Sequence, residues 1–248
     1  MNFSKLKKIA ATGIAVTLTA SFLTGCGIKS DTFILGKIFG LSSDEIFKIA
    51  TSIRNFWREI SMVVDVYKNC PSFENEYYIL RMVDKADKLD LLKVYSDEKA
   101  VSFFNSDNCG GDNFHYTTEN RMAQAIEYWL WEYDRQRFVR WAIVSKATKE
   151  AIGTIELFHR DAEDYFTNCG LLRLDIRSDY EIASEIVKIL KLIIEPAYAL
   201  FHCDKIATKA IALATERISA LKALGFKQSE EKLIGHGGME YDSYFVLK

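Results

Sequence analysis

Residues Gly170–Leu190 constrain this chain more than any other stretch. Leu172, Leu174 and Ile176 alternate with Arg173, Asp175 and Arg177, the period-2 pattern of a strand with two unlike faces. After Asp179 the period changes: Ile182, Ile186, Ile189, Leu190 and Ile193 recur at helical spacing. Ser178 or Asp179 is placed to cap that helix. A strand feeding straight into a helix presents backbone N–H groups and the helix dipole to an anion. The same residues also suit an ordinary strand–helix joint. No glycine lies between Gly170 and Leu190, so a phosphate-cradling loop of the Gly-rich kind is absent.

The N-terminus reads as a targeting segment. Lys5, Lys7 and Lys8 precede an uncharged apolar run from Ile9 to Phe22, and Leu23-Thr24-Gly25-Cys26 closes it with small residues before a cysteine. The run is too short for a comfortable membrane span. It resembles the signal and lipobox of a bacterial lipoprotein. That resemblance implies cleavage before Cys26, a diacylglycerol on its thiol and a protein held at the cell membrane. The other reading is an uncleaved apolar helix in a cytoplasmic protein.

Residues 27–75 form the second unit. After a spacer to about residue 41, Ser42-Ser43-Asp44-Glu45 makes a capping box. Ile46, Ile49, Ile53, Phe56, Trp57, Ile60, Val63, Val64 and Tyr67 follow along one helical face, predicting an accessory helix over residues 43–68. That stripe must lie on the domain behind it, a partner helix or the membrane interface, and docking on its own domain is the simplest of the three. Pro71 ends it, because the residue before a proline leaves the α region.

From Glu76 to Lys248 the alternation of short strands and helices predicts one α/β (α+β) domain with a mixed, mostly antiparallel sheet. Strands are expected at 77–82, 138–145, 152–158, 171–177, 205–209 and 241–247, and helices at 85–95, 118–133 and 215–224. In the first of these helices Leu89, Leu92 and Val94 are expected to point inward. Residues 106–118 are a loop, and His236-Gly237-Gly238 is a hairpin tip. With 49% hydrophobic residues the chain can bury one substantial core. Residues 27–248 carry a formal −5, the chain total of −2 less the three N-terminal lysines. No basic stripe is interleaved with aromatics, which argues against nucleic acid as a partner. The histidines and cysteines lack metal-ligand spacing, so no metal site is expected.

Several ordered segments carry a family resemblance. These are Tyr78-Ile-Leu-Arg-Met-Val-Asp-Lys-Ala-Asp87, Trp141-Ala-Ile-Val144 with Lys149-Glu-Ala-Ile-Gly-Thr-Ile-Glu156, Ala220-Leu-Lys-Ala-Leu-Gly-Phe226, and Gly237-Gly-Met-Glu-Tyr-Asp-Ser-Tyr-Phe-Val-Leu247. Together they resemble the GNAT acyl-CoA-dependent N-acetyltransferases, in the branch that acetylates ribosomal-protein N-termini, over residues 76–248. The resemblance implies a GNAT-like sheet flanked by helices. It also implies acetyl-CoA as donor and direct attack by a small amine or a protein N-terminus. Leu174, Asp175 and Ile176 would pair with the pantetheine, and Ile182, Ala183 and Ser184 would open the helix under the pyrophosphate. Glu156 and Asp175 are the candidate bases, and Tyr180 the candidate proton donor; an ion pair or an exposed strand face is the other reading for each. The family's Arg/Gln-x-x-Gly-x-Gly/Ala turn is shortened here to Tyr180-Glu181-Ile182-Ala183-Ser184-Glu185, which places Glu181, a like charge, beside the pyrophosphate. Leu221 stands where many members have a tyrosine. Beside the enzyme stands an alternative, a membrane-anchored GNAT-fold binding protein without turnover. The lipobox favours it, because acetyl-CoA is a cytoplasmic metabolite.

Overall fold

The computed structural model describes residues 65–248. The N-terminal signal, Cys26 and the accessory helix up to residue 64 lie outside the described residues. The last positions assigned to that helix, 66–68, form a turn. Val66 is buried there, and Tyr133 donates its hydroxyl hydrogen to the Val66 carbonyl at 2.9 Å.

Ten strands follow in chain order: β1 (Phe73–Glu74), β2 (Tyr78–Met82), β3 (Val139–Ser145), β4 (Ala151–Arg160), β5 (Cys169–Ile176), β6 (Lys205–Lys209), β7 (Lys227–Gln228), β8 (Leu233–Ile234), β9 (Glu240–Tyr241) and β10 (Tyr244–Leu247). The helices are α1 (Lys88–Tyr95), α2 (Glu98–Val101), α3 (Glu119–Asp134), α4 (Ala183–Leu190), α5 (Ile194–Leu200) and α6 (Thr215–Ala223). Eight strands make one sheet in the order β1-β2-β3-β4-β5-β6-β10-β7, and β8 and β9 form a separate hairpin. Every pairing is antiparallel except β5 with β6, the pair joined by a helical crossover.

The alternation read in the sequence puts two unlike faces on the sheet. Trp141, Ile143, Ile155, Leu157, Leu172, Leu174 and Ile176 bury one face with Ile186, Ile189 and Leu190 of α4, Ala220 and Leu221 of α6, and Leu224 just after it. On the opposite face α1 and α3 contribute Leu91, Val94, Tyr95, Met122, Ile126 and Trp129. A third cluster, holding Phe166, Leu171, Leu233 and Tyr244, supports the β8–β9 hairpin.

Three local expectations are corrected. Leu89 is 55% exposed, because in an eight-residue helix the inward stripe is Leu91, Val94 and Tyr95. Neither Ser178 nor Asp179 caps α4: residues 178–180 form a 3-10 turn of their own, and α4 begins at Ala183 after an extended Ile182. The final strand is also two pieces, β9 and β10, parted at Ser243, whose φ of 66° breaks the ladder.

Candidate functional site

The sheet's polar face carries the chemistry. On β3, β4 and β5 the residues facing α3 include Arg140, Thr154, Glu156, Arg173 and Asp175, and Arg140, Glu156 and Asp175 are buried to within 2% of full enclosure. Arg140 sits at the centre. Its guanidinium binds Glu156 through Nη2 and Asp175 through Nη1, the latter at 3.0 Å. The same Nη1 meets the Tyr95 hydroxyl at 2.9 Å and Thr154 Oγ1 at 3.0 Å. Tyr95 donates to Asp175 Oδ2 at 2.8 Å, and Arg173 Nη1 donates to the second Glu156 oxygen at 2.9 Å. The Trp129 ring lies 4.2 Å under the Arg140 guanidinium.

This network sets the protonation states. Burial opposes ionisation of Glu156, but the Arg140 and Arg173 guanidiniums outweigh it and hold the carboxyl below its ordinary value. Burial, reinforced by the Asp175 charge, pushes the Tyr95 hydroxyl well up. Three buried polar atoms have no hydrogen-bond partner among the described residues: Arg140 Nε, Arg173 Nε and Asp175 Oδ1.

Over this network opens a cavity of about 1040 Å³. Glu156, Arg140 and Arg173 belong to its wall, with Phe114, Tyr116 and Trp129 around them and the exposed Arg137 and His236 also lining it. Its five arginines are matched by five carboxylates, so the wall is amphoteric and favours neither cations nor anions by net charge alone. The 106–118 loop and the β8–β9 hairpin meet beside it. Asn108 Oδ1 accepts from His236 N at 3.0 Å, and its own N–H donates to the Tyr241 hydroxyl at 3.3 Å. A Cβ at Gly235 would come within 2.2 Å of Asn108 Oδ1 and 2.5 Å of the Tyr241 ring, so a side chain there would push both aside and disturb the contact between the two segments.

A second feature lies on the edge of β5. Its ladder with β6 runs only from Cys169–Lys205 to Leu172–Thr208, and beyond that Arg173–Ile176 pair with β4 alone. The strands part, leaving Leu174's carbonyl open toward α6. Arg217 of α6 fills that place. Its Nη1 donates to Leu174 O and to Phe103 O, both at 2.9 Å, and its Nε and Nη2 fork onto Glu181 at 2.9 and 2.7 Å. The N–H of Ala183, at the start of α4, donates to Glu216 Oε2 at 2.8 Å.

The structure thus brings Glu156 and Asp175 together through Arg140 and places Tyr180 elsewhere. Tyr180 packs its ring 6.5 Å from Tyr78 on the α4 side of the sheet and does not line the cavity. Of the backbone candidates, Leu174 O and Ala183 N are bonded as above, and Ile176 is paired with Gly153 of β4. The N–H of Ile182 closes on Tyr180 O at 2.7 Å, while Ser184 turns its hydroxyl to Glu185 at 3.4 Å. Reading the sequence missed Arg140, Arg173 and Arg217. Arg217 had a signal, since Ala214, Arg217, Leu221 and Leu224 share one helical stripe and an arginine there must find buried acceptors. Among the described residues no group of three His, Cys, Asp or Glu is placed to hold a metal, and no helix is long and apolar enough to cross a membrane.

No family model and no curated protein matches the sequence. Solved structures do match. The ribosomal-protein-S5-alanine acetyltransferase of Vibrio fischeri superposes with a TM-score of 0.53 at 16% identity, covering 71% of this chain and 94% of that one. The fold is the GNAT fold. A GNAT-family acetyltransferase from Bacillus anthracis gives 0.52 at 12% identity over 71% and 98% of the two chains. Mycobacterium smegmatis RimJ, solved in complex with CoA-disulfide, gives 0.53 at 12% identity over 68% and 80%.

On a GNAT scaffold the open side of β5 and the start of α4 are where the family resemblance places an acyl-CoA. As arranged, this chain's groups do not fit one. The Leu174 carbonyl is spent on Arg217, the Ala183 N–H on Glu216, and the Arg217 fork on Glu181.

Proposed function

We propose that this chain moves an acyl group, with acetyl the expected one, from acyl-CoA to an amine: a small amine or a protein N-terminus. One observation carries the reading. The parting of β5 from β6 lies beside a large cavity on the α3 face, and Arg173 belongs both to the parted strand and to the cavity wall. A donor on the α4–α6 side and an acceptor on the α3 side would meet at that opening. Glu156 is the candidate carboxylate facing the acceptor. Asp175 acts behind it through Arg140, and Tyr180 keeps the α4 side. The proposal extends to the N-terminus, where Cys26 would carry the lipid that holds the protein at the membrane.

The test is incubation with acetyl-CoA and a panel of amines and short peptides, following release of the free thiol and the acetylated product by mass. Product formation that falls on Glu156→Gln supports the reading, and no product with any acceptor counts against it. Mass spectrometry of the native N-terminus tests the anchor: an intact Met1 overturns it.

A second reading, a tethered GNAT-fold binding protein without turnover, is favoured by Arg217 lying across the β5/β6 opening. It expects acceptor peptides to bind the cavity in the absence of any product.

A further inference from the structure

The mismatch between this chain and an acyl-CoA is organised. Three groups that a diphosphate and an amide chain would use, Leu174 O, the Ala183 N–H and the Arg217 fork, are held by side chains that imitate the ligand. Two carboxylates, Glu181 and Glu216, stand in for anionic oxygens at the Arg217 fork and at the α4 N-terminus. A guanidinium N–H stands in for an amide donor at Leu174 O.

We propose that Arg217 is a latch across the β5/β6 opening and that Glu181 and Glu216 compete with the ligand's diphosphate. When acyl-CoA binds, the guanidinium fork passes from Glu181 to a phosphate, and the Ala183 N–H passes from Glu216 to another phosphate oxygen. The inference rests on the acyl-CoA reading and adds to it a donor site that is closed by its own acids.

Three features make the exchange physically sound. Arg217 and Glu181 are enclosed, their side chains 3% and 7% exposed, so the exchange must keep Arg217 paired and carry the released Glu181 carboxylate outward to solvent. A phosphate accepts the same bidentate fork as a carboxylate, which keeps Arg217 paired after the exchange. Glu216 is exposed and free to swing outward. The departures at 180–185 that remove the glycine turn then have a local explanation. Glu181 gives Arg217 its buried counter-charge, and in the open site Arg217 supplies the anion contact that a glycine backbone would otherwise make.

The experiment is titration calorimetry of coenzyme A into the full chain and three variants, with thermal melting to confirm that each is folded. Glu181→Gln should bind about tenfold or more tighter than the natural protein, equivalent to about 1.4 kcal/mol. Adding Arg217→Met to it should abolish the gain, because the phosphate's partner is lost. Glu216→Ala, a change at the exposed end of α6, should also tighten binding and keeps the test decisive if Glu181→Gln does not fold. Equal affinity in the natural protein and in Glu181→Gln and Glu216→Ala overturns the latch and leaves the acyl-CoA reading standing. A gain that persists in Glu181→Gln/Arg217→Met overturns the transfer of the fork. Absence of coenzyme A binding in every variant up to millimolar concentration overturns the latch and the acyl-CoA reading together.

Discussion

Arg140 on β3 holds Glu156 on β4 through a buried charge pair whose two side chains are 1% and 2% exposed. Through the same guanidinium it also holds Asp175 on β5, so one cation ties three adjacent strands at the cavity wall. Such a pair adds little over well-packed apolar residues, but removing one partner leaves the other charge stranded. Arg140→Met leaves Asp175 without a cation and Glu156 with Arg173 alone, and should cost about 3–5 kcal/mol. Adding Asp175→Asn, which removes the carboxylate left without a cation, should recover part of that loss. Urea unfolding of the three proteins checks both; an unchanged midpoint in Arg140→Met would show that the network is not what fixes these strands.

The pH dependence follows from Glu156. Its carboxyl is held below the ordinary 4.5 in the folded chain, so the folded state binds its proton less readily than the unfolded state does. Its stabilisation is therefore complete above about 4.5 and is lost as the pH falls through the lowered folded value. Denaturant unfolding between neutral pH and pH 3 should show stability falling on the acid side. Glu156→Gln should be less stable at neutral pH and should lose less on acidification. An identical acid limb in both proteins would remove Glu156 from the cause.

Gly153 on β4 lies so close to β5 that an added Cβ would sit 2.3 Å from the Asp175 carbonyl oxygen and 2.9 Å from Ile176 Cα. Both neighbours are backbone, so relief requires the strands to separate. Gly153→Ala should cost about 1–3 kcal/mol, the usual penalty of overpacking. It should also move Asp175 relative to Arg140, which would appear as faster exchange of the Tyr95 hydroxyl proton by NMR. A stability equal to that of the natural protein would mean the two strands have more room than their separation indicates.

The frame was legible because alternation and helical period are direct consequences of burial. The parallel β5/β6 pair and its crossover follow from the pattern between Gly170 and Lys209, and the strands predicted at 138–145 and 152–158 lie within a residue or two of β3 and β4. The site was legible in half. Glu156 and Asp175 could be placed on cleft strands, but the alternation of Arg173 and Asp175 with leucines reads as a solvent face, whereas that face is enclosed under α3. Only the tertiary covering supplied by Tyr95, Trp129 and the 106–118 loop turns a polar stripe into a buried network, and a strand pattern carries no information about what lies on top of it. Arg217 escaped for the same reason: its partners Phe103, Leu174 and Glu181 come from three distant segments.

Cysteine reactivity offers a probe of the cavity. Burial pushes the thiols of Cys169 and Cys203 up to about 12 and about 11. Cys109 is also raised by burial, an effect partly opposed by Arg173, and it is the one of these three that lines the cavity. Peptide mapping after brief alkylation near neutral pH should find Cys109 modified ahead of Cys169 and Cys203. A molecule seated in the cavity should slow Cys109 alone. Equal labelling of all three would show general opening of the domain instead of access through the cavity.

Asp107 is the anchor by which the 106–118 loop is fixed over the sheet. Its two carboxylate oxygens each take a hydrogen bond from Lys209 Nζ at 2.8 Å, the Tyr244 hydroxyl adds a third at 3.0 Å, and its carbonyl accepts from Arg173 Nη2 at 2.8 Å. Lys209 ends β6 where β5 departs from it, so this anchor binds the loop to both strands at the point of parting. Asp107→Asn leaves the shape but removes the charge that Lys209, 17% exposed, is paired with. The loss should be about 1–3 kcal/mol, the range for a charged hydrogen-bond set left partly unsatisfied. The effect should be local: hydrogen exchange should quicken in residues 105–118 and in the β8–β9 hairpin that Asn108 holds, while the amides of α3 and β4 keep their protection. Uniform acceleration across the domain would mean that Asp107 supports the whole core, and no change in the loop would mean that Asn108 suffices to hold it.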